Sequence, residues 1–204
     1  DVSGKGVGAS MIMTMTRSLI RMESERNLSA ADTLKKVNRV LARDLRRGMF
    51  VTAMYCILNI RTGMLKVSSA GHNPLVIWRN DQKRYELFNP NGIALGFDRG
   101  PVFDRTIKEE SILINPGDLV VSFTDGVTES MDEKDNELGG ERFYKFVGET
   151  HHLESQRFID AVIKFLNDFK GSAPQHDDIT LVCVKRTAAS GPAAVNDEAK
   201  PQAI

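Results

Sequence analysis

Three aspartate clusters carry the chemistry this sequence can offer. Asp1 heads Asp1-Val2-Ser3-Gly4-Lys5-Gly6, Asp125 follows the apolar run 119–123 and precedes Gly126, and Asp177 and Asp178 precede the apolar run 179–182. A carboxylate just past the end of a buried strand is held rigidly yet faces an open edge. A following glycine lets backbone and ligand approach closely. Several such carboxylates without Cys or His at ligand spacing describe a site for a hard cation such as Mg²⁺ or Mn²⁺. Any single Asp-Gly also reads as a plain turn, and periodicity alone leaves both readings open.

Other chemistries fit less well. Gly4-Lys5-Gly6-Val7-Gly8 precedes a helix and could cradle phosphate, but it lacks the spacing of a P-loop and the third glycine of a dinucleotide fingerprint. His72, in Ala70-Gly71-His72-Asn73-Pro74, reads as a turn residue making structural hydrogen bonds. His151 and His152 read as solvated surface. His176 adjoins the aspartate pair, where a loop role competes with contact to phosphate or metal-bound water. Cys56 and Cys183 sit in apolar strand-like runs without the electropositive setting of a reactive thiolate. A Ser-His-Asp or Cys-His enzyme is disfavoured.

The elements that must position these groups follow from the patterning. Met11, Met15, Leu19 and Met22 give a helical stripe over 8–25. Ser29 with Asp32 forms an N-cap pair for a second helix bearing Leu34, Val37, Leu41 and Leu45. Arg46 and Arg47 suit its negative end, and Gly48 is its stop. Residues 50–60 are β-rich, Arg61-Thr62-Gly63 is a hairpin turn, and 64–70 is the return strand. Further strands are expected at 75–79, 84–88, 110–114 and 119–123, with turns at 80–81 and 115–118. A charged segment from Glu129 to Glu141 leads into a long helical stretch near 141–169, with Phe158, Val162, Phe165 and Phe169 as its stripe. A last strand spans Ile179 to Val184. Residues 187–204 read as a disordered tail. Helices, then a strand-rich middle, then helix and strand predict an α+β fold with antiparallel sheet.

Composition bounds the function. The chain has 204 residues, 41% hydrophobic and 26% charged, enough apolar material for a core. Lys+Arg and Asp+Glu are both 27, and this balance argues against a nucleic-acid partner. No apolar run is long enough to cross a bilayer and no secretory segment is evident. The two cysteines read as buried reduced thiols of a cytoplasmic protein. A first residue Asp1 inside a loop predicts a fragment of a longer chain.

Six motifs together resemble the PPM (metal-dependent) serine/threonine phosphatases, in their bacterial SpoIIE-like, RsbU-like branch. They are Asp1-Val2-Ser3-Gly4-Lys5-Gly6, Ala70-Gly71-His72-Asn73-Pro74, Gly92-Ile93-Ala94-Leu95-Gly96, Pro116-Gly117-Asp118, Thr124-Asp125-Gly126-Val127-Thr128-Glu129 and Asp177-Asp178-Ile179-Thr180. The resemblance covers residues 1–186 as one phosphatase domain. It implies an α/β/β/α sandwich of two antiparallel sheets flanked by helices, and two Mn²⁺ or Mg²⁺ ions at one edge. Asp1 would bridge the metals, Val2 would offer its backbone carbonyl, and Asp125 and Asp177 would be further ligands. Asp178 would be an outer or alternate ligand, Gly126 would allow close packing of the metal loop, and Glu129 would be a structural or regulatory contact. Metal-activated water would attack phosphorus without a covalent phosphoenzyme.

The resemblance further implies hydrolysis of phosphoserine or phosphothreonine on a protein, of the anti-sigma-factor antagonist type, in a partner-switching pathway. An upstream sensor or receiver domain would belong to the parent chain. Family members carry another metal-ligand aspartate in an upstream Gly-Asp motif, so this chain is expected to lack one ligand and at least one core strand and to be impaired. The competing functions are a non-catalytic phosphatase-like signalling module and a hard-metal phosphohydrolase of a small metabolite.

Overall fold

The computed structural model describes residues 1–26, 28–46 and 48–187. In chain order the elements are α1 (Val7–Ser24), α2 (Ala30–Asp44), β1 (Ala53–Asn59), β2 (Met64–Ala70), β3 (Leu75–Arg79), β4 (Arg84–Phe88), α3 (Pro101–Thr106), β5 (Glu110–Leu113), β6 (Leu119–Phe123), α4 (Gly140–Thr150), α5 (Ser155–Lys170) and β7 (Leu181–Lys185). They form two antiparallel sheets with flanking helices, the expected α+β class. The chain divides into two compact units. The expected tail at 187–204 lies, apart from Thr187, outside the described residues.

The first unit comprises Asp1–His72 and Asn89–Leu113. Its sheet has the order β1-β2-β5, with Ala53 opposite Ala70 and Asn59 opposite Met64 across the first hairpin. The Ser29 hydroxyl accepts the amide of Asp32 at 3.2 Å, the N-cap expected for α2. Leu34, Val37 and Leu41 of α2 are fully buried against Val51, Ala70, Leu95, Phe103 and Ile107. On α1 the inward face is Ile12, Met15, Leu19 and Ile20. The expected methionine stripe is therefore corrected: Met11 is 68% and Met22 45% exposed. The stripe lies one residue off the axis of burial, and only Met15 and Leu19 of it lie on the packed face.

Helix α3 was not expected. Asp98 Oδ1 accepts the amides of Gly100, Val102 and Phe103 at 2.9, 2.8 and 3.0 Å, and Pro101 opens the helix. The fully buried Phe103 docks it on the core.

The second unit comprises Asn73–Phe88 and the described chain from Ile114 onward. Its sheet has the order β4-β3-β6-β7. Every residue of β3 is buried, and the core joins Val76, Leu119, Val121 and Phe123 to Phe143, Val147, Phe158 and Val162 of the two helices. The single helix expected over 141–169 is two. The break at 151–154 is stabilised by Lys185, whose Nζ donates to the carbonyls of His151 at 2.8 Å and Leu153 at 2.7 Å. Strand β7 begins at Leu181 rather than Ile179, because ahead of it side-chain hydrogen bonds from Thr124 replace the ladder.

Both cysteines are free thiols. Cys183 is half-buried, but Cys56 is exposed, which corrects the expectation that both are buried. Among the described residues no helix is long and apolar enough to cross a membrane.

Candidate metal centre

Asp1 and Val2 belong to the first unit, where three of the sequence motifs converge. The backbone nitrogen of Asp1 donates to the Thr52 carbonyl at 2.9 Å, and the Thr52 amide donates to the Asp1 carbonyl at 2.8 Å. The Ser3 amide donates to the Phe50 carbonyl at 3.0 Å, and the Phe50 amide to the Ser3 hydroxyl at 2.8 Å. Residues 1–3 are thus zipped onto 50–52. Val51 in turn exchanges backbone hydrogen bonds with Leu95 at 2.9 and 2.8 Å, bringing in the 92–96 motif. The β-rich run expected from residue 50 starts its regular ladder only at Ala53, because 50–52 make these separate bridges. Asp1 is exposed and Val2 half-buried.

His72 makes the structural hydrogen bonds expected of it. Its Nδ1 shares a hydrogen bond of 2.9 Å with the Thr52 hydroxyl, and its amide donates to Ser69 Oγ at 3.2 Å. This joins the motif around Gly71 to the strand that holds Asp1.

Asp125, Asp177 and Asp178 belong to the second unit. Just past β6, the Thr124 amide donates to the Thr180 carbonyl at 3.1 Å. The Thr124 hydroxyl donates to the Asp178 carbonyl at 3.0 Å and accepts the Thr180 amide at 2.9 Å. One threonine therefore clasps the approach to β7 against the end of β6 and brings the two aspartate motifs alongside. Beyond Asp125 the chain curls into a turn: the Glu129 amide and the Thr128 hydroxyl donate to the Asp125 carbonyl at 2.8 and 3.2 Å, and Ser130 Oγ donates to the Gly126 carbonyl at 2.7 Å. The fully buried Val127 anchors that turn in the core. Asp125 is half-buried, while Asp177 and Asp178 are exposed. The Asp178 amide donates to Asp177 Oδ1 at 2.7 Å, which orients that carboxylate.

The electrostatics report crowded negative charge. The Glu129 carboxyl is held above its ordinary pKa, first by partial withdrawal from water and then by repulsion from Asp125, Glu137 and Asp177. The candidate donors of the second unit, Asp125, Asp177 and Asp178, are all carboxylates. That set suits a hard divalent cation, which would relieve the repulsion felt at Glu129. Among the described residues, no three His, Cys, Asp or Glu side chains form a group already spaced to hold a metal ion.

The other histidines separate. His151 is half-buried and stacked on Trp78 with ring centroids 4.3 Å apart, which corrects its reading as solvated surface. Its Nδ1 donates to the Gly148 carbonyl at 2.6 Å. His152 is exposed as expected, and His176 is exposed in the segment leading to the aspartate pair. Thr52, which holds Asp1, lies in none of the sequence motifs, and Thr124 enters only as the first residue of the 124–129 motif, with no role assigned to it. A threonine next to a strand end carries no spacing signal of its own.

The two antiparallel sheets with flanking helices match the fold of solved PP2C phosphatase domains. The chain belongs to the SpoIIE family, whose family model, described as stage II sporulation protein E, matches residues 1–187. It is 28% identical over 190 residues to the phosphoserine phosphatase RsbU of Bacillus subtilis (strain 168), covering 91% of this chain and 54% of RsbU. In structure it is similar to the SiaA-PP2C domain of Pseudomonas aeruginosa, with a TM-score of 0.78 at 19% identity, covering 91% of this chain and 72% of that one. It is also similar to the RsbU and RsbW domains of a Mycobacterium tuberculosis protein, with a TM-score of 0.74 at 24% identity, covering 95% of this chain and 52% of that one. These two structures bear on the fold alone. The chain spans about half the length of RsbU.

Proposed function

We propose that this protein is a metal-dependent phosphoserine/phosphothreonine protein phosphatase. The observation that carries the reading is the Thr124 clasp, which brings the Asp125 motif alongside the Asp177–Asp178 motif, where their repulsion adds to partial burial in raising Glu129. Membership of the SpoIIE family and the likeness to a phosphoserine phosphatase support it.

In this reading Asp125 and Asp177 are carboxylate ligands, Asp1 and the Val2 carbonyl are the further ligands that the family resemblance implies, and Asp178 serves as an outer or alternate ligand. The site would take two Mn²⁺ or Mg²⁺ ions, as the family resemblance implies. The chemistry such cations supply when bound is neutralisation of phosphoryl charge and activation of water. The protein's own part is positional. Thr124 fixes the backbone on both sides of the aspartates, and the hydrogen bond from the Asp178 amide orients Asp177. The turn from Asp125 to Ser130 holds Glu129 where its charge responds to the ligands. No nucleophilic side chain is required of the chain, and the rings of His72 and His151 are committed to structural hydrogen bonds.

The substrate is a phosphorylated protein of the anti-sigma-factor antagonist type, and the setting is a cytoplasmic partner-switching pathway. Phosphate release from a phosphoserine-bearing antagonist by a chain extended to include the upstream Gly-Asp aspartate, measured with and without Mn²⁺, tests the reading. Metal-dependent release that Asp125→Asn abolishes is expected. Release that is indifferent to both Mn²⁺ and Asp125→Asn contradicts it, and binding of the phosphoprotein without release would instead support a non-catalytic module.

A further inference from the structure

We propose that His72 is a positioning residue for Asp1, acting through Thr52; the inference rests on the reading of Asp1 as a metal ligand. Thr52 stands at a fork. Its backbone is paired with Asp1 in both directions, at 2.9 and 2.8 Å, while its hydroxyl is bonded to His72 Nδ1 at 2.9 Å. The regular β1–β2 ladder ends at the pair Ala53 and Ala70, one residue short of this fork. Past that point the two chains would be free to splay, and the side-chain bond between Thr52 and His72 ties them where the backbone ladder no longer does.

The far end of this strut is itself fixed. Ser69, which is 1% exposed, accepts the His72 amide at 3.2 Å and donates its hydroxyl to the His72 carbonyl at 3.4 Å. Gly71 has φ +67°, and a Cβ there would lie 2.9 Å from the Ala94 nitrogen, so the turn is pressed against the 92–96 motif. The imidazole is thereby set on a rigid base, and Thr52 transmits its position to the backbone of Asp1. Side chains that hold a metal ligand's orientation commonly cost about tenfold or more in metal affinity when removed.

Mn²⁺ titration of the metal-free protein, followed by electron paramagnetic resonance, tests the strut alongside hydrogen exchange of the Thr52 amide. The panel is Thr52→Val, Thr52→Ser, His72→Leu, His72→Asn and Asp1→Asn. Thr52→Val and His72→Leu should each weaken Mn²⁺ binding about tenfold and speed Thr52 exchange. Thr52→Ser restores the hydroxyl, and His72→Asn places an amide where Nδ1 lies, so both should stay near wild type. Should Thr52→Val fail to fold, the contrast between His72→Asn and His72→Leu decides alone. His72→Asn as weak as His72→Leu would overturn the strut, because the other ring nitrogen would then be what matters. Wild-type binding by Thr52→Val beside weakened binding by Asp1→Asn would also overturn the strut and leave the ligand reading standing. Unchanged binding by Asp1→Asn would remove the ligand reading, and with it this inference.

Discussion

A Cβ placed on Gly126 would lie 2.5 Å from the carbonyl oxygen of Asp178. The backbone after Asp125 therefore passes directly against the backbone of the second aspartate motif, at a separation that only glycine allows. Gly126→Ala should push the two apart and open the Thr124 clasp. The expected result is a loss of Mn²⁺ affinity greater than the loss of thermal stability, read by metal titration beside a melting curve. A variant that melts early but binds Mn²⁺ normally would mean the close approach serves packing alone.

Asp118 anchors the second unit from inside. It is fully buried and accepts from Arg79 Nη1 at 2.8 Å, the Asn80 amide at 2.9 Å and the Asn115 amide at 2.9 Å. Arg79 also donates to Glu86, but removing Asp118 would leave its guanidinium half-compensated in a buried setting. Asp118→Ala should destabilise the protein by about 3–5 kcal/mol. Chemical denaturation checks this, and a loss below about 1 kcal/mol would mean the pair behaves as a surface bridge.

Glu129 makes the charge crowding measurable through pH. Its folded-state pKa is raised, so its protonated form is favoured by the fold. That contribution is fully present below the ordinary glutamate range and is lost as pH rises through the raised value. Glu129→Gln stays neutral throughout. The variant should match wild type in acid and exceed it in stability at neutral pH. Mn²⁺ should narrow the gap, because a cation beside Asp125 and Asp177 offsets the repulsion. Melting curves at acid and neutral pH, with and without Mn²⁺, check both statements.

The cap of α2 offers a milder test of local structure. Ser29 Oγ satisfies the Asp32 amide at 3.2 Å, and Ser29→Ala should cost about 1 kcal/mol. Thermal melts read that loss, while Mn²⁺ affinity should stay unchanged.

Local signals in the sequence carried the hairpins well. The bounds of β2, β3, β4 and β6 fall where the apolar runs and the turns at 61–63, 80–81 and 115–118 put them. Other features depend on partners distant in sequence. The break between α4 and α5 has no glycine or proline to announce it, and its freed carbonyls are taken by Lys185 on β7. The α1 stripe is ambiguous in the sequence, because methionine and isoleucine positions one residue apart fit nearly the same period, and tertiary packing buries Ile12 rather than Met11. Helix α3 was legible only through Pro101 at its first position, because Asp98, which takes three amides ahead of it, lies two residues before the N-cap Gly100. The aspartates of the candidate site stood out as residue types. What held them did not, because Thr52 and Thr124 acquire their roles only when residues 50 and more positions apart are brought together.

Asp125 and Asp177, as proposed here, are ligands of a hard divalent cation. Mn²⁺ binding to the metal-free protein, compared among wild type, Asp125→Asn and Asp177→Asn, tests this assignment most directly. Wild type should bind saturably, each substitution should weaken binding at least about tenfold, and EDTA should restore the metal-free state. Binding of equal strength in all three proteins, or none in wild type, would contradict it.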